Sequence, residues 1–209
     1  MANDEIFLRR AVVFGAALIY WAGVLIQVRR VRRRIGKSPN LRPRNLKEKF
    51  LWIVWLLVIV SWLAQPLLIG RHNLPALLQI NFSFIAPIGL LSGIVMTVAG
   101  YAGTLWCYAI MGNTWRIGVN PLEKNKLINQ GPYQTVRHPI YLFQIIMLAG
   151  AALLLPTSLS LIAVIVHYLC IFAKASDEES YLLKTHGNEY RDYLLRTGRF
   201  FPKLFCKKP

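Results

Sequence analysis

Five apolar runs dominate this chain, at about residues 11–28, 50–69, 84–111, 139–155 and 159–174. Backbone groups in lipid find no water to bond, so an isolated apolar segment can cross a bilayer only as a helix. A helix rises about 1.5 Å per residue, and about 20 residues span a hydrocarbon core of ~30 Å. The first two runs have that length. The third is longer and tilts or extends past the interface. The last two are short, and Pro156-Thr157-Ser158 between them reads as the turn of a tight helical hairpin. The expectation is an all-α polytopic membrane protein: five transmembrane helices and a C-terminal helical tail, in a single integral membrane domain over 1–209.

Apolar residues make up 55% of the chain, yet its net charge is +16. A charge of that size raises nucleic-acid binding, but no nucleic-acid motif accompanies it, and its placement follows the spans instead. Loop 29–49 holds ten Lys/Arg, among them Arg29, Arg30, Arg32, Arg33 and Arg34, against Glu48 alone. Loop 70–83 holds only Arg71. Loop 112–138 holds Arg116, Lys124, Lys126 and Arg137, and the tail from Lys174 holds eight. In a five-span arrangement the basic segments share one side, which the positive-inside rule makes cytosolic. The N-terminus is then outside and the C-terminus inside, in a bacterial inner membrane or its equivalent. The arginine block is also suited to anionic lipid headgroups.

The first residues do not read as a cleaved signal peptide, because Asp4 and Glu5 come first and the basic block follows the apolar run. Cys107, Cys170 and Cys206 lie in or near spans or in the tail, so no disulfide is expected. Cys206 stands fourth from the end, but Lys207 and Lys208 occupy the aliphatic positions of a prenylation signal, which rules that signal out. Neither the histidines nor the cysteines show metal-ligand spacing. Gly89/Gly93 and Ala99/Gly103 place small residues four apart in the third span, which suits close helix packing. Pro66 and Pro87 kink or delimit the second and third spans.

The densest chemistry lies at 131–143, Gly-Pro-Tyr-Gln-Thr-Val-Arg-His-Pro-Ile-Tyr-Leu-Phe. Pro139 suits the first turn of a helix, so Arg137 and His138 stand at the mouth of the fourth span, where free N–H groups also gather. A cationic pair on such an end can hold an anion such as a carboxylate; a basic pair snorkelling beside a span is the plainer alternative. After the last span come Lys174-Ala-Ser-Asp-Glu-Glu-Ser, then Gly187-Asn-Glu-Tyr-Arg-Asp-Tyr, then Arg199-Phe-Phe-Pro202. The fifth helix should run past Glu178 and Glu179 to about Thr185. Gly187 should break it and Asn188 should cap a short second helix. On that helix Tyr190, Tyr193 and Arg196 share one face. A surface-lying amphipathic tail with solvated acids is the alternative.

In this order the segments Gly131-Pro-Tyr133, Arg137-His138-Pro139-x-Tyr141, Glu178-Glu179, Gly187-x-Glu-Tyr190-x-x-Tyr193 and Arg199-Phe-Phe-Pro202 resemble the isoprenylcysteine carboxyl methyltransferases and the related phospholipid methyltransferases. The likeness covers about residues 112–205 and does not extend to the first two spans or the arginine loop. It implies an integral membrane enzyme that uses S-adenosyl-L-methionine, with the cofactor between the start of the fourth span and the tail. It further implies a cofactor pocket of Leu127, Tyr133, Arg137, His138, Tyr141, Tyr190, Tyr193 and Arg199. Lys174, Glu178 and Glu179 become the catalytic candidates. The implied acceptor is lipidic or prenylated and enters sideways from the bilayer. Two positions depart from the family pattern. Asn125 stands where some members have histidine, and Lys174 stands where many have arginine, which keeps the charge but loses the bidentate fork.

Carboxyl O-methylation is the leading expectation. N-methylation of a phospholipid amine is the alternative, and a non-enzymatic membrane protein retaining the fold is a third. A carboxylate acceptor needs alignment and a cation such as Lys174, and no base. An amine acceptor needs Glu178 or Glu179 to take a proton. On a continuous helix Lys174 and Glu179 lie about 140° apart, while Lys174 and Glu178 are spaced for an ion pair. Either the helix breaks near Ser176 or the two groups approach the substrate from different angles.

Overall fold

A computed structural model describes residues 2–36, 39, 43, 45–70, 75–80, 88–115 and 127–203. Among these residues six α-helices follow one another: α1 (Ala2–Ile35), α2 (Leu46–Leu68), α3 (Ile88–Met111), α4 (Pro139–Leu154), α5 (Ser158–His186) and α6 (Asn188–Arg196). Short 3-10 turns lie at Ala76–Leu78, Gly112–Thr114 and Gly131–Gln134. Among the described residues there is no strand, only the isolated bridges Ile80–Thr157 and Val136–Gly198. The chain is all-helical. Four of the helices, α1, α2, α3 and α5, are long and apolar enough to cross a membrane. At 16 residues α4 falls short of that length, about 24 Å against a ~30 Å core.

The helices run alternately between two ends. At one, α1, α3 and α4 meet through Val31, Tyr108, Trp115 and Ile140, and Lys47 at the start of α2 pairs with Asp177 of α5 at 2.6 Å. At the other, Arg9 of α1 donates to the carbonyls of Leu153 and Leu154 at the end of α4. Nearby, Arg10 donates to the carbonyl of Pro66 in the last turn of α2. Val13, Ala17 and Tyr20 of α1, Val58 and Trp62 of α2, and Met147 and Leu154 of α4 fill the space between the ends. Leu18, Ile26, Leu57, Val98, Leu161 and Leu169 face outward, the apolar exterior that a bilayer solvates and water does not.

Small residues decide how closely α3 and α4 approach. A Cβ on Gly93 would meet the Leu154 side chain at 2.7 Å, and one on Gly100 would meet the Phe143 carbonyl at 2.6 Å. Gly103 lies under the Phe143 ring, and a Cβ on Gly150 would meet the Thr97 amide at 2.7 Å. Of the residues expected to make this contact, Gly93 and Gly103 do so. Ala99 is exposed, and Gly100, the next position round the helix, takes the contact.

The element bounds refine the expected runs. Helix α1 extends well beyond 11–28 because its charged flanks are helical too. Helix α5 is unbroken from Ser158 to His186, which removes the proposed break near Ser176. Thr157 caps it by accepting from the Ser160 amide at 3.1 Å. Gly187 ends it with φ of 55°, a conformation that costs glycine little and other residues more. Gly187 is also the N-cap of α6, and Asn188 is the first residue inside that helix, not its cap. The prolines divide: Pro66 lies inside α2. Pro87, Arg71, Arg116, Lys124, Asn125, Lys126 and Cys206 lie outside the described residues. Cys107 and Cys170 are both free and buried.

Candidate active site

The turn before α4 holds the first half of the site. Gly131–Gln134 forms a 3-10 turn that buries Tyr133, and Pro139 opens α4 with His138 as its N-cap. The second half comes from the tail. After α6, residues 197–199 lie alongside 135–138: Gly198 N–H donates to the Thr135 carbonyl at 3.0 Å, Arg137 N–H to the Gly198 carbonyl at 2.8 Å, and His138 N–H to the Arg199 carbonyl at 3.1 Å. Arg137 also donates through its guanidinium to the Thr197 carbonyl. A Cβ at position 198 would collide with the Phe201 carbonyl, so this strap requires glycine. The Tyr193 hydroxyl secures α6 to the same turn, donating to the Tyr133 carbonyl at 2.6 Å.

Helix α5 brings two adjacent carboxylates under this turn. Glu179 accepts from Arg137 Nε at 2.9 Å and from Arg199 Nη2 at 2.5 Å, and His138 Nε2 lies 3.2 Å away. The side chains of Arg137 and Glu179 are 10% and 11% exposed. Glu178 accepts from the Tyr141 hydroxyl at 2.6 Å and faces His138 Nδ1 at 3.4 Å. One imidazole therefore sits between two carboxylates. Burial works against its charged form, but the hydrogen bonds and charges of Glu178 and Glu179 outweigh that, and the His138 pKa is held above its ordinary value. The ring stacks on Tyr141 at 5.6 Å. Arg199 is fixed further by Ser176 Oγ at 3.2 Å and by the Phe172 ring at 4.9 Å.

The arrangement answers several expectations. Arg137 and His138 do hold a carboxylate, and it belongs to the chain's own Glu179. Tyr133, Arg137, His138, Tyr141, Glu178, Glu179, Tyr193 and Arg199 come together at one end of the bundle. Tyr190 is fully buried at the same end, 5.8 Å from the Tyr193 ring, and its hydroxyl has no partner among the described residues. Burial pushes the Tyr190 hydroxyl up, and the nearby Glu179 charge adds to the shift. Burial likewise lifts Tyr193 to about 12, against the opposing charge of Arg137. Arg196 does not share the buried face of α6; it is exposed and donates to the Asp192 carbonyl of its own helix. Leu127 is half-buried and takes no part in the cluster's hydrogen bonds.

Lys174 forms no ion pair within 4 Å among the described residues, and the expected pair with Glu178 is not made at that distance. Its ammonium instead lies over the Trp55 ring of α2, 5.2 Å from the centroid. Because α5 is continuous, Lys174 and Glu179 leave the helix in different directions. Ser176 and Thr197 also serve the cluster, roles not foreseen from the sequence, and Phe200 of the Arg199-Phe-Phe-Pro202 segment packs against His138. Only the two glycines at 187 and 198 hint in advance that the tail doubles back.

Residues 88–189 match the phospholipid methyltransferase family. The chain is also 26% identical over 152 residues to the cobalt-zinc-cadmium resistance protein CzcN of Cupriavidus metallidurans, covering 72% of this chain and 63% of that protein. It is 27% identical over 148 residues to the nickel-cobalt-cadmium resistance protein NccN of Alcaligenes xylosoxydans xylosoxydans, covering 70% and 62%. The matched regions thus span a little under two thirds of the length of these curated relatives. The family match takes in Tyr133, Arg137, His138, Tyr141, Lys174, Glu178 and Glu179 and stops just before Tyr190. The segment that matches the phospholipid methyltransferase family thus runs from α3 to the start of α6 and carries both carboxylates and their two partners at the mouth of α4.

Proposed function

We propose that the chain is an integral membrane enzyme that transfers a methyl group from S-adenosyl-L-methionine to a lipidic acceptor. The observation that carries this reading is the pair of adjacent carboxylates at one end of an apolar bundle, locked by Arg137, His138 and Arg199 beside a Tyr190 hydroxyl that has no partner among the described residues. The fit to the cofactor is chemical. Tyr190 offers a buried hydroxyl with spare bonding capacity, and Tyr133, Tyr141 and Tyr193 supply aromatic walls. Arg137, His138, Arg199 and Glu179 fix the shape of the pocket. When bound, the cofactor supplies an electrophilic methyl group on a sulfonium cation.

The acceptor we favour is a carboxylate, giving O-methylation. Glu179 is committed to two guanidiniums and is a poor proton acceptor, whereas Lys174 makes no ion pair within 4 Å among the described residues and can orient an anionic acceptor from the bilayer side. Alignment then does most of the work. N-methylation of a phospholipid amine is the second reading, and the observation favouring it is Glu178, which among the described residues accepts from a tyrosine hydroxyl and shares an imidazole but meets no guanidinium within 4 Å. Glu178 would then take the amine proton. The relatives' names speak of metal resistance. Among the described residues no group of three His, Cys, Asp or Glu is gathered to hold a metal ion, so the reading rests on the cluster instead.

The deciding experiment uses membranes and methyl-labelled cofactor. Label should enter the lipid fraction and be released by mild alkali as an ester; alkali-stable label would select the amine reading, and no lipid label would overturn both. In parallel, His138→Ala and Tyr190→Phe should weaken S-adenosylhomocysteine binding to the detergent-solubilised protein. Wild-type affinity in both would remove the pocket.

We also infer five crossings, with α4 the short one, the domain continuous over 1–209, and the site facing the cytosol. Support comes from the basic turns: Arg32, Arg33 and Arg34 close α1 at the same end as the cluster, where positive charge favours the cytosol. Reporter fusions at position 75 and at the C-terminus should report opposite sides, and a shared side would break the arrangement.

A further inference from the structure

Helix α2 lies outside the segment that matches the family, yet it touches α5 beside the cluster at two levels. In its first turn Lys47 donates to both carboxylate oxygens of Asp177, at 2.6 and 2.8 Å. Further along, the Trp55 ring carries the Lys174 ammonium, 5.2 Å from its centroid. Trp55 stands eight residues beyond Lys47, about 12 Å along α2, whereas Lys174 stands only three residues before Asp177, about 4.5 Å along α5. Side chains of a helix lean toward its N-terminus, which for α5 is the far end of the bundle. Lys174 thus turns inward to meet Trp55.

That direction is the reverse of the usual one. A lysine near the end of a span extends its stem so that the charge reaches water. Lys174 is half-buried and makes no ion pair within 4 Å among the described residues; the charges of Glu178 and Glu48 act on it from further off. A ring face attracts an ammonium through its quadrupole but takes none of its three N–H donors in the way an oxygen would. The cation is held in place and still free to bond. The ring itself is braced, edge-on to Trp52 at 6.0 Å and to Trp21 at 5.6 Å, and Trp52 is 37% exposed on the outer surface. Lys174 also lies one helical turn before Glu178, so a headgroup bound to it stands next to the cluster.

We propose that Trp55 is a positioning residue for the acceptor: it holds the Lys174 ammonium inward, and the site thereby selects lipids that end in one carboxylate. One cation matches one negative charge, and the acceptor's chain leaves past Trp52 toward the bilayer. The proposal rests on the carboxylate reading above and adds to it a residue from a helix that the family match does not include.

Binding of tritiated N-hexadecanoylglycine to the full chain in phosphatidylcholine nanodiscs tests it, with empty nanodiscs as the background. The unlabelled acid should compete at about ten-fold lower concentration than its uncharged amide, N-hexadecanoylglycinamide, or lower still. Lys174→Met should bring that ratio close to one. Trp55→Leu should shrink it about three- to ten-fold, Trp55→Phe should recover part of the loss because a ring face is kept, and Trp55→Leu combined with Lys174→Met should match Lys174→Met alone. S-adenosylhomocysteine binding by each variant checks that the fold is kept. A Trp55→Leu protein that separates acid from amide as the wild type does would overturn the proposal and leave the carboxylate reading standing. Equal weakening of acid and amide in that variant would do the same, since it marks a ring that only packs. Tetrafluorotryptophan placed at position 55 keeps the shape and removes the negative ring face, so an unchanged ratio there overturns the proposal even if the leucine variant fails to fold. A wild-type protein that binds acid and amide equally would overturn the carboxylate reading and this proposal together.

Discussion

The two ends of this bundle both bury charge, and they do so for different purposes. At the far end Arg9, 1% exposed, donates to Glu5 Oε1 at 2.9 and 2.7 Å and to two carbonyls at the end of α4. The last turn of any helix leaves carbonyls without partners, and Arg9 and Arg10 supply donors to those of α4 and α2. Gln65 donates to Thr157 and Ser160 beside them. Opposite charges and complementary groups are matched there. The near end instead sets two like charges side by side, surrounds them with cations from two separate segments, and leaves a buried tyrosine hydroxyl without a partner among the described residues. Like charges held together cost free energy that only their surroundings offset. Burial of charge is therefore common to both ends, and unspent bonding capacity beside crowded like charges is what distinguishes a site from a brace.

The largest test of that contrast pairs two substitutions. Glu179→Gln strips the shared anion from Arg137 and Arg199. Two charge-assisted bonds of roughly 1.5–3 kcal/mol each are weakened, so methyl transfer should fall about a hundred-fold or more, with S-adenosylhomocysteine binding falling alongside. Arg9→Met should lower the thermal midpoint in detergent and leave that binding unchanged. If the two variants lose binding equally, the ends do not differ in the way described.

A smaller effect sharpens the near end. Lys174→Met should cost about ten- to a hundred-fold in kcat/KM for a carboxylate acceptor, while Lys174→Arg, which can still cover the Trp55 ring, stays active. Full activity in Lys174→Met would move the acceptor from carboxylate to amine. The smallest effect is a pH trend. The folded His138 pKa is raised, so its contribution to stability is complete below about pH 6.5, the ordinary histidine value, and is lost as pH rises through the folded value. The difference in thermal midpoint between wild type and His138→Gln should therefore narrow as pH is raised. A gap that widens would mean the imidazole is not held charged between the carboxylates.

Much of this was readable from residue order. The apolar runs mark the helix positions, Pro139 marks the start of α4, and Gly187 marks the end of α5. The limits of α1 were not legible, because hydropathy treats Glu5, Arg9 and Arg10 as interruptions, whereas the bundle carries two of them on helix-end carbonyls. The Arg137-His138 pair announced an anion site. That the anion is Glu179 could not be read, since nothing local ties positions 42 residues apart. The strap of 197–199 on 135–138 was hidden for the same reason: its bonds are backbone to backbone, and Gly198 alone hints at the close approach. Lys174 illustrates a different limit. Spacing favoured an ion pair with Glu178, and tertiary packing against Trp55 overrode it.

The strap has a consequence for the order in which the protein comes into being. A chain emerges from its N-terminus, and helices can enter the bilayer as they are made. Every span is complete by His186, yet Glu179 acquires Arg199, and Arg137 acquires the Thr197 carbonyl, only thirteen and eleven residues later. Until then Glu179 stands without one of its two guanidiniums. Insertion and the assembly of chemistry are thus separate events in time, and a nascent chain already threaded through the membrane is still silent.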